Sequence, residues 1–287
     1  MQFYPSLASI AKDYDGFILD LWGVVHDGTA LYPGAKACLE SLRRAGKKIV
    51  FLSNAPRRAF HVEAKLNQLG ITPDLYDHVL SSGEVARRFL EVPAAVAPGS
   101  AYYYLGPEKD ADLLDGLHYT RTREMAEADF VLNVDVEFHG QEVAELEPIL
   151  LEARVHNLPM VCVNPDMEVV KQDGTRIWCA GAIAGAYAGM GGEVSYFGKP
   201  YPAVYETSLA LLDGIERSAI LAVGDNLDTD ILGAAQAGID SALVTGGILL
   251  SELGSTPDPY TLRDICTRKG VEPTFVIPGL TWKREAA

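Results

Sequence analysis

Four polar residues stand at the ends of apolar runs: Asp20 closes "FILD", Ser53 closes "VFLS", Lys199 closes "SYFGK" and Asp225 closes "LAVGD". In open parallel sheets ligands bind outside the carboxyl ends of the strands, so these are the first places to look for chemistry. A carboxylate, a hydroxyl, an ammonium and a second carboxylate suit phosphoryl transfer assisted by a divalent cation. Asp20 is the candidate nucleophile, attacking phosphorus to form an acyl phosphate. Asp225 offers the metal a second carboxylate. Ser53 and the backbone N–H groups near Asn54 are placed to bind phosphate oxygens, while Lys199 offsets their charge and keeps Asp20 ionised. Asp230, five residues after Asp225, is placed to orient metal-bound water or Lys199. Any one of these residues alone is an ordinary cap or turn former. Their order, shared position and chemical complementarity set them apart.

The elements that must hold them follow a repeating pattern. "GFILDLWGV" reads as a strand, "AKACLESLRRAG" as a helix, "KIVFLSNAP" as a strand and "AFHVEAKLNQLG" as a helix, with Gly46 and Gly70 at the helix ends. The pattern resumes in "AILAVGDN", "DILGAAQAG", "SALVTGG" and "PTFVIPGL". Continuous apolar strands alternating with helices indicate an α/β fold with a doubly wound parallel sheet. A second set lies between, with strands "AYYYLG", "ADFVLNVD" and "MVCVNPD" and a helix through "GQEVAELEPILLEARVHN". It reads as an inserted α/β unit. The joins are placed near residues 87 and 188, giving a core of 1–87 and 188–287 and an insert of 88–187.

With 39 acidic against 24 basic residues the net charge is -15, which opposes nucleic acid and anionic membranes, and no basic patch outweighs it. "MQFYPSLASIAKDYDG" does not read as a secretory signal, and the uncharged run from Ile177 is too short and too rich in Ala and Gly for a good membrane span. Cys38, Cys162, Cys179 and Cys266 are scattered with no zinc-ligand spacing, as expected of reduced structural thiols in the cytoplasm. "DLWGVVHDG" lacks the glycine pattern of a dinucleotide-binding oxidoreductase.

As a set, "DLWGVV" at Asp20, "LSNAP" at Ser53, "FGKP" at Lys199 and "GDNLDTDILGA" at Asp225 and Asp230 resemble the haloacid dehalogenase (HAD) superfamily. "YPGA" from Tyr32, "NPD" from Asn164 and "CAGAIAG" from Cys179 are similar to its subfamily IIA, phosphatases with an α/β cap inserted between the second and third motifs. The resemblance spans nearly the whole chain. It implies a Rossmann-like core, Mg2+ and an aspartyl-phosphate intermediate. It also implies a small phosphorylated metabolite as substrate, in a family that acts on pyridoxal phosphate, nucleotides, sugar phosphates and 4-nitrophenyl phosphate. Because family caps often make dimer contacts, a homodimer is expected.

One position departs from the family pattern. Where the family carries a second Asp as general acid and base, this chain has Trp22, whose indole has no group that titrates near neutrality. The resemblance still implies Mg2+ coordination by the backbone carbonyl of Trp22, together with Asp20 and Asp225. A positioned acid and base contributes about 10²–10⁴-fold, so its loss favours leaving groups that are already stable anions, such as acyl or aryl phosphates. His26 and Asp27, in a segment where the family has a mobile loop, are candidate substitutes. A catalytically weak or inactive phosphate-ligand sensor or scaffold is the alternative reading. Dehalogenases of the superfamily also lack the acid, but their helical cap is inserted elsewhere, so that reading ranks lower.

In the insert, Asp166 of "VNPD" and Arg176 of "DGTRIW" are candidates for substrate selection, against a simple turn supported by Asn164 and Asp173. Gly181 reads as a close-packing site. Arg57 and Arg58 either add charge at the phosphate site or lie in solvent, the tyrosines of "AYYYLG" belong to a core or dimer edge, and Asp135 with His139 is assigned to cap structure.

Overall fold

The computed structural model describes residues 1–92, 99–138, 140–170, 174–254 and 258–282, so His139 and Asp173 lie outside the described residues. The chain opens with β1 (Gln2–Phe3), β2 (Gly16–Leu19), α1 (Ala35–Arg44), β3 (Lys48–Ser53), α2 (Ala59–Gln68), β4 (His78–Ser81) and α3 (Ser82–Leu90). The inserted segment carries β5 (Ala101–Leu105), β6 (Thr120–Thr122), β7 (Phe130–Asn133), α4 (Glu147–Val155), β8 (Met160–Cys162), β9 (Glu168–Val170), β10 (Arg176–Trp178), α5 (Ala180–Gly189) and β11 (Val194–Tyr196). The chain then returns through α6 (Pro202–Leu211), β12 (Ile220–Gly224), α7 (Leu232–Ala237), β13 (Asp240–Val244), α8 (Leu250–Leu253), α9 (Pro259–Lys269) and β14 (Phe275–Ile277).

Two parallel sheets result. The first has strand order β1-β14-β13-β12-β2-β3-β4, and the second β11-β8-β7-β5-β6; β9 and β10 form a separate antiparallel hairpin. From β2 the chain winds through β3 to β4 on one side, and from β12 through β13 to β14 on the other. The pair β2 and β12 is therefore the switch point at which such sheets bind ligands.

Strand periodicity explains why both faces are covered. Phe17, Leu19, Ile49, Phe51, Leu221 and Val223 enter one apolar cluster, while their neighbours Ile18, Val50, Leu52, Ile220 and Ala222 enter another. Side chains alternate across a strand, so a run without polar residues must be buried on both sides. Gly46 and Gly70 take φ of 73° and 88° just beyond α1 and α2, the left-handed exit that favours glycine. The doubly wound α/β core with an inserted α/β cap read from the sequence is the fold observed.

The second sheet does not float as a free lid. Its Tyr102, Tyr104, Phe130, Leu132 and Val161 share the second cluster with Val204 and Tyr205 of α6, whereas Val131 and Met160 face α4 and α5. Tyr102 and Tyr104 of "AYYYLG" thus serve a shared core that fixes the cap against the first sheet, while Tyr103 packs on the opposite face within the cap. The expected join near 188 falls inside α5, and the cap sheet extends to Tyr196 through the pairing of β11 with β8. Both sheets use the same apolar strand pattern, so sequence alone does not assign β11 to one of them.

Candidate active site

β2 and β12 lie side by side, with Val223 opposite Leu19 in the register, and the backbone N–H of Asp20 donates to the carbonyl of Val223 at 2.9 Å. Asp20 and Asp225 therefore emerge together. Ser53 ends the adjacent β3, Lys199 lies in the return from β11 to α6, and Asp230 sits in a π-helical turn, Leu227–Ile231, that leads into α7. Such wide turns recur at functional sites because they re-aim a side chain within a helix. All four charged residues are nearly sealed from solvent.

Lys199 Nζ lies 2.6 Å from Asp20 Oδ1 and 2.8 Å from Asp230 Oδ1. The ammonium is held well above its ordinary pKa: burial opposes its charge, but the carboxylates of Asp20, Asp230 and Asp166 outweigh burial. Asp225 Oδ2 accepts the backbone N–H of Ile248 at 2.6 Å, and the backbone packs tightly around it: a Cβ at Gly23 or Gly247 would fall 1.9 or 2.0 Å from Oδ2. Ligand atoms of Asp20, Asp225 and Asp230 all lie within 4.8 Å of one another. Burial pushes the Asp20 and Asp225 carboxyls up, and neighbouring carboxylates add to the rise. Three buried carboxylates facing a single ammonium leave excess negative charge among oxygen donors, which fits a hard divalent cation.

Asn54 works through its side chain on the protein itself. Its Oδ1 accepts the N–H of Lys199 at 2.7 Å, and its Nδ2 donates to Asp166 Oδ1 at 2.9 Å and to the Lys199 carbonyl at 3.2 Å. It thereby fixes the lysine and joins core to cap. Ser53 Oγ accepts the N–H of Ala55 at 3.2 Å and faces the cavity. The Oγ of Ser82 lies within hydrogen-bond reach of the carbonyls of Asn54, Ala55 and Val163 and donates its one proton among them, a further brace between the two sheets.

These groups line a cavity of about 400 Å³ between core and cap. His26 and Asp27 border it too, but both are engaged in the entrance turn. His26 Nδ1 accepts the N–H of Gly28 at 2.9 Å, and burial, then the charge of Lys65, lowers the imidazole to about 4. Asp27 Oδ1 accepts the N–H groups of Thr29 and Ala30 at 2.8 and 2.7 Å. Trp22 borders the cavity with its indole N–H donated to the Val170 carbonyl of β9 at 3.0 Å.

The cap contributes Asp166 and Asn164. Asn164 Oδ1 accepts the Asp166 N–H at 3.0 Å, so the turn expected there forms and still presents the Asp166 carboxyl to the cavity. Burial pushes that carboxyl to about 6, with Lys199 and Asn54 opposing. Arg176 is 62 % exposed and does not line the cavity, although its ion-pair partner Glu168 does, while its neighbour Ile177 is buried and lines it. Strand alternation decides between them. At Gly181 a Cβ would fall 2.2 Å from the Pro165 carbonyl, and the Gly181 N–H donates to the Asp166 carbonyl, so the start of α5 supports the "NPD" turn.

Asp135, assigned from sequence to cap structure, lines the cavity, and burial pushes its carboxyl to about 7. Its signal in the sequence is the same as that of Asp20, a carboxylate just beyond an apolar strand. Lys65 and Lys109 also border the cavity. Arg57 does so while bonded to Asp110 of the cap at 3.1 Å, whereas Arg58 pairs with Glu84 of the core.

The sequence matches the family "Haloacid dehalogenase-like hydrolase" over residues 17–120 and the family described as HAD-hydrolase-like over residues 196–282. The sugar-phosphatase AraL of Bacillus subtilis is 30% identical over 235 residues, covering 81% of this chain and 83% of that protein. A haloacid dehalogenase-like hydrolase from Brucella suis 1330 superposes with a TM-score of 0.84 at 29% identity, covering 97% of this chain and 100% of that one. The glycerol phosphate phosphatase of Mycobacterium tuberculosis in complex with magnesium superposes at 0.68 with 27% identity, covering 94% and 77%.

Proposed function

Because the chain belongs to the haloacid dehalogenase-like hydrolases, we propose that it hydrolyses a small phosphate ester through an aspartyl-phosphate on Asp20, with Mg2+ as cofactor. The observation that carries the reading is Lys199 bridging Asp20 and Asp230 beside Asp225 at the sheet's switch point. Asp20, Asp225 and the Trp22 carbonyl would hold the cation, with Asp230 in support; when bound it screens phosphate from carboxylate and polarises the phosphoryl oxygens.

The residues of the chain then divide the work. Asp20 attacks phosphorus, the P–O bond to the leaving group breaks, and its electron pair departs with that oxygen. Ser53 hydrogen-bonds a phosphoryl oxygen, and Lys199, fixed by Asn54, balances the charge that shifts between Asp20 and the phosphoryl group. Water next attacks phosphorus, the bond to Asp20 breaks, and inorganic phosphate leaves with the carboxylate restored.

Indole delivers no proton to the leaving group. His26, lowered to about 4, is a neutral imidazole near neutrality and a poor acid. Asp166, raised to about 6, keeps a protonated fraction there and is the stronger candidate. Leaving groups that are stable anions, acyl and aryl phosphates, need least help. Trp22 also favours the second reading, a sensor that binds a phosphorylated ligand with little turnover.

The deciding experiment measures phosphate release from sugar phosphates, glycerol phosphate, 4-nitrophenyl phosphate and acetyl phosphate, with Mg2+ or chelator, for wild type and Asp20→Asn. Metal-dependent turnover that vanishes in the variant is expected. Folded wild type that binds Mg2+ and inorganic phosphate yet releases none from any ester would favour the sensor.

A further inference from the structure

We propose that the Trp22 side chain is a positioning residue, a hook from the core that holds the β9–β10 hairpin over the Asp20 side of the cavity. The indole N–H reaches the Val170 carbonyl at 3.0 Å, across 148 residues of sequence. Its ring is braced from behind: a Cβ at Gly28, where φ is 84°, would sit 2.6 Å from the ring, and His26 meets it edge-on at 6.2 Å between centroids. The indole is therefore aimed by its surroundings. The hairpin needs such an anchor, because among the described residues β9 and β10 pair only with each other and not with either parallel sheet. Two-stranded ribbons are marginal alone in water, so tertiary contacts set their position.

The hook determines what the leaving group meets. Val169 and Ile177, paired across the hairpin on one face, line the cavity beside Trp22, and Val170 meets the indole through its carbonyl, so an aromatic ring and branched aliphatics form a wall where the family places a second carboxylate. Position 22 has exchanged proton transfer for control of the cap. A hairpin held in this way closes the leaving-group side against water and selects by shape. This consequence for substrates rests on the phosphatase reading; the tether itself does not.

Hydrogen exchange of the full-length protein tests the tether without any assay of activity. Trp22→Phe keeps a ring and the backbone carbonyl but removes the N–H. Loss of one hydrogen bond should raise exchange of the β9 and β10 amides about fivefold, with β2, β3 and β12 unchanged. In parallel, KM for 4-nitrophenyl phosphate should rise by a similar factor while kcat changes less. Replacing Trp22 with its benzothiophene analogue, of the same shape but without N–H, should reproduce both effects if phenylalanine packs poorly. Unchanged hairpin exchange in both variants overturns the proposal, as does acceleration spread evenly through the core. If no ester is hydrolysed but hairpin exchange accelerates as expected, the hook stands and the phosphatase reading alone fails.

Discussion

The ammonium of Lys199 lies 2.6 Å from Asp20 Oδ1, with side-chain exposures of 4% and 9%. A pair so enclosed is costly to break, because either partner left alone is a buried unpaired charge. Lys199→Met should cost about 3–5 kcal/mol of stability at neutral pH, with loss of turnover. The loss should shrink as pH falls and the abandoned carboxyls protonate. Urea melts near pH 5 and pH 8 check this, and an equal loss at both would refute the charge-balance account.

Mg2+ should relieve the same excess charge. Binding at about 100 times its Kd adds about 2.7 kcal/mol, a rise of several degrees in Tm for a chain of this size. Asp225→Asn should lose most of that rise while gaining stability in chelator, since a buried carboxylate has been neutralised. Equal Mg2+ shifts in both proteins would place the cation elsewhere.

Trp22→Asp would reintroduce a titratable group beside Asp20. The gain should depend on the leaving group: at least about tenfold for a sugar phosphate, within the usual worth of general acid catalysis, and little for 4-nitrophenyl phosphate. A Brønsted plot against leaving-group pKa should become shallower. Parallel plots for the two proteins would mean that position 22 has no influence on protonation.

His26 should not govern the pH profile. Its pKa is lowered to about 4 by burial and by Lys65, so its charge does not change above about pH 6. His26→Gln should leave the shape of kcat/KM against pH unaltered from there upward, even if the absolute rate falls. A lost inflection near neutrality would return His26 to the role of acid.

Asp135 should make stability depend on pH. Its carboxyl is raised from 3.8 to about 7 on folding, mainly by burial, so the folded chain binds the proton more tightly than the unfolded one. Its contribution is fully present below about pH 4 and is lost as pH rises through about 7. Asp135→Asn should flatten the fall of Tm across that window. Identical pH slopes for wild type and variant would show that Asp135 titrates normally.

Much of this protein is legible in its sequence, for a local reason. Strands buried on both faces must be continuously apolar, so β2, β3 and β12 announced the doubly wound sheet, and the polar residues that end or follow them announced Asp20, Ser53 and Asp225. The absence of a second acid was equally plain at Trp22. What tertiary structure alone decided are the partners. Asn54 grips Lys199 across 145 residues, and Trp22 reaches Val170 across 148. The inward turn of Ile177 and outward turn of Arg176, the cavity-facing carboxyl of Asp135 and the membership of β11 in the cap sheet belong to the same class. Sequence carries the period of each element, but which faces meet depends on the register and packing of one sheet against another.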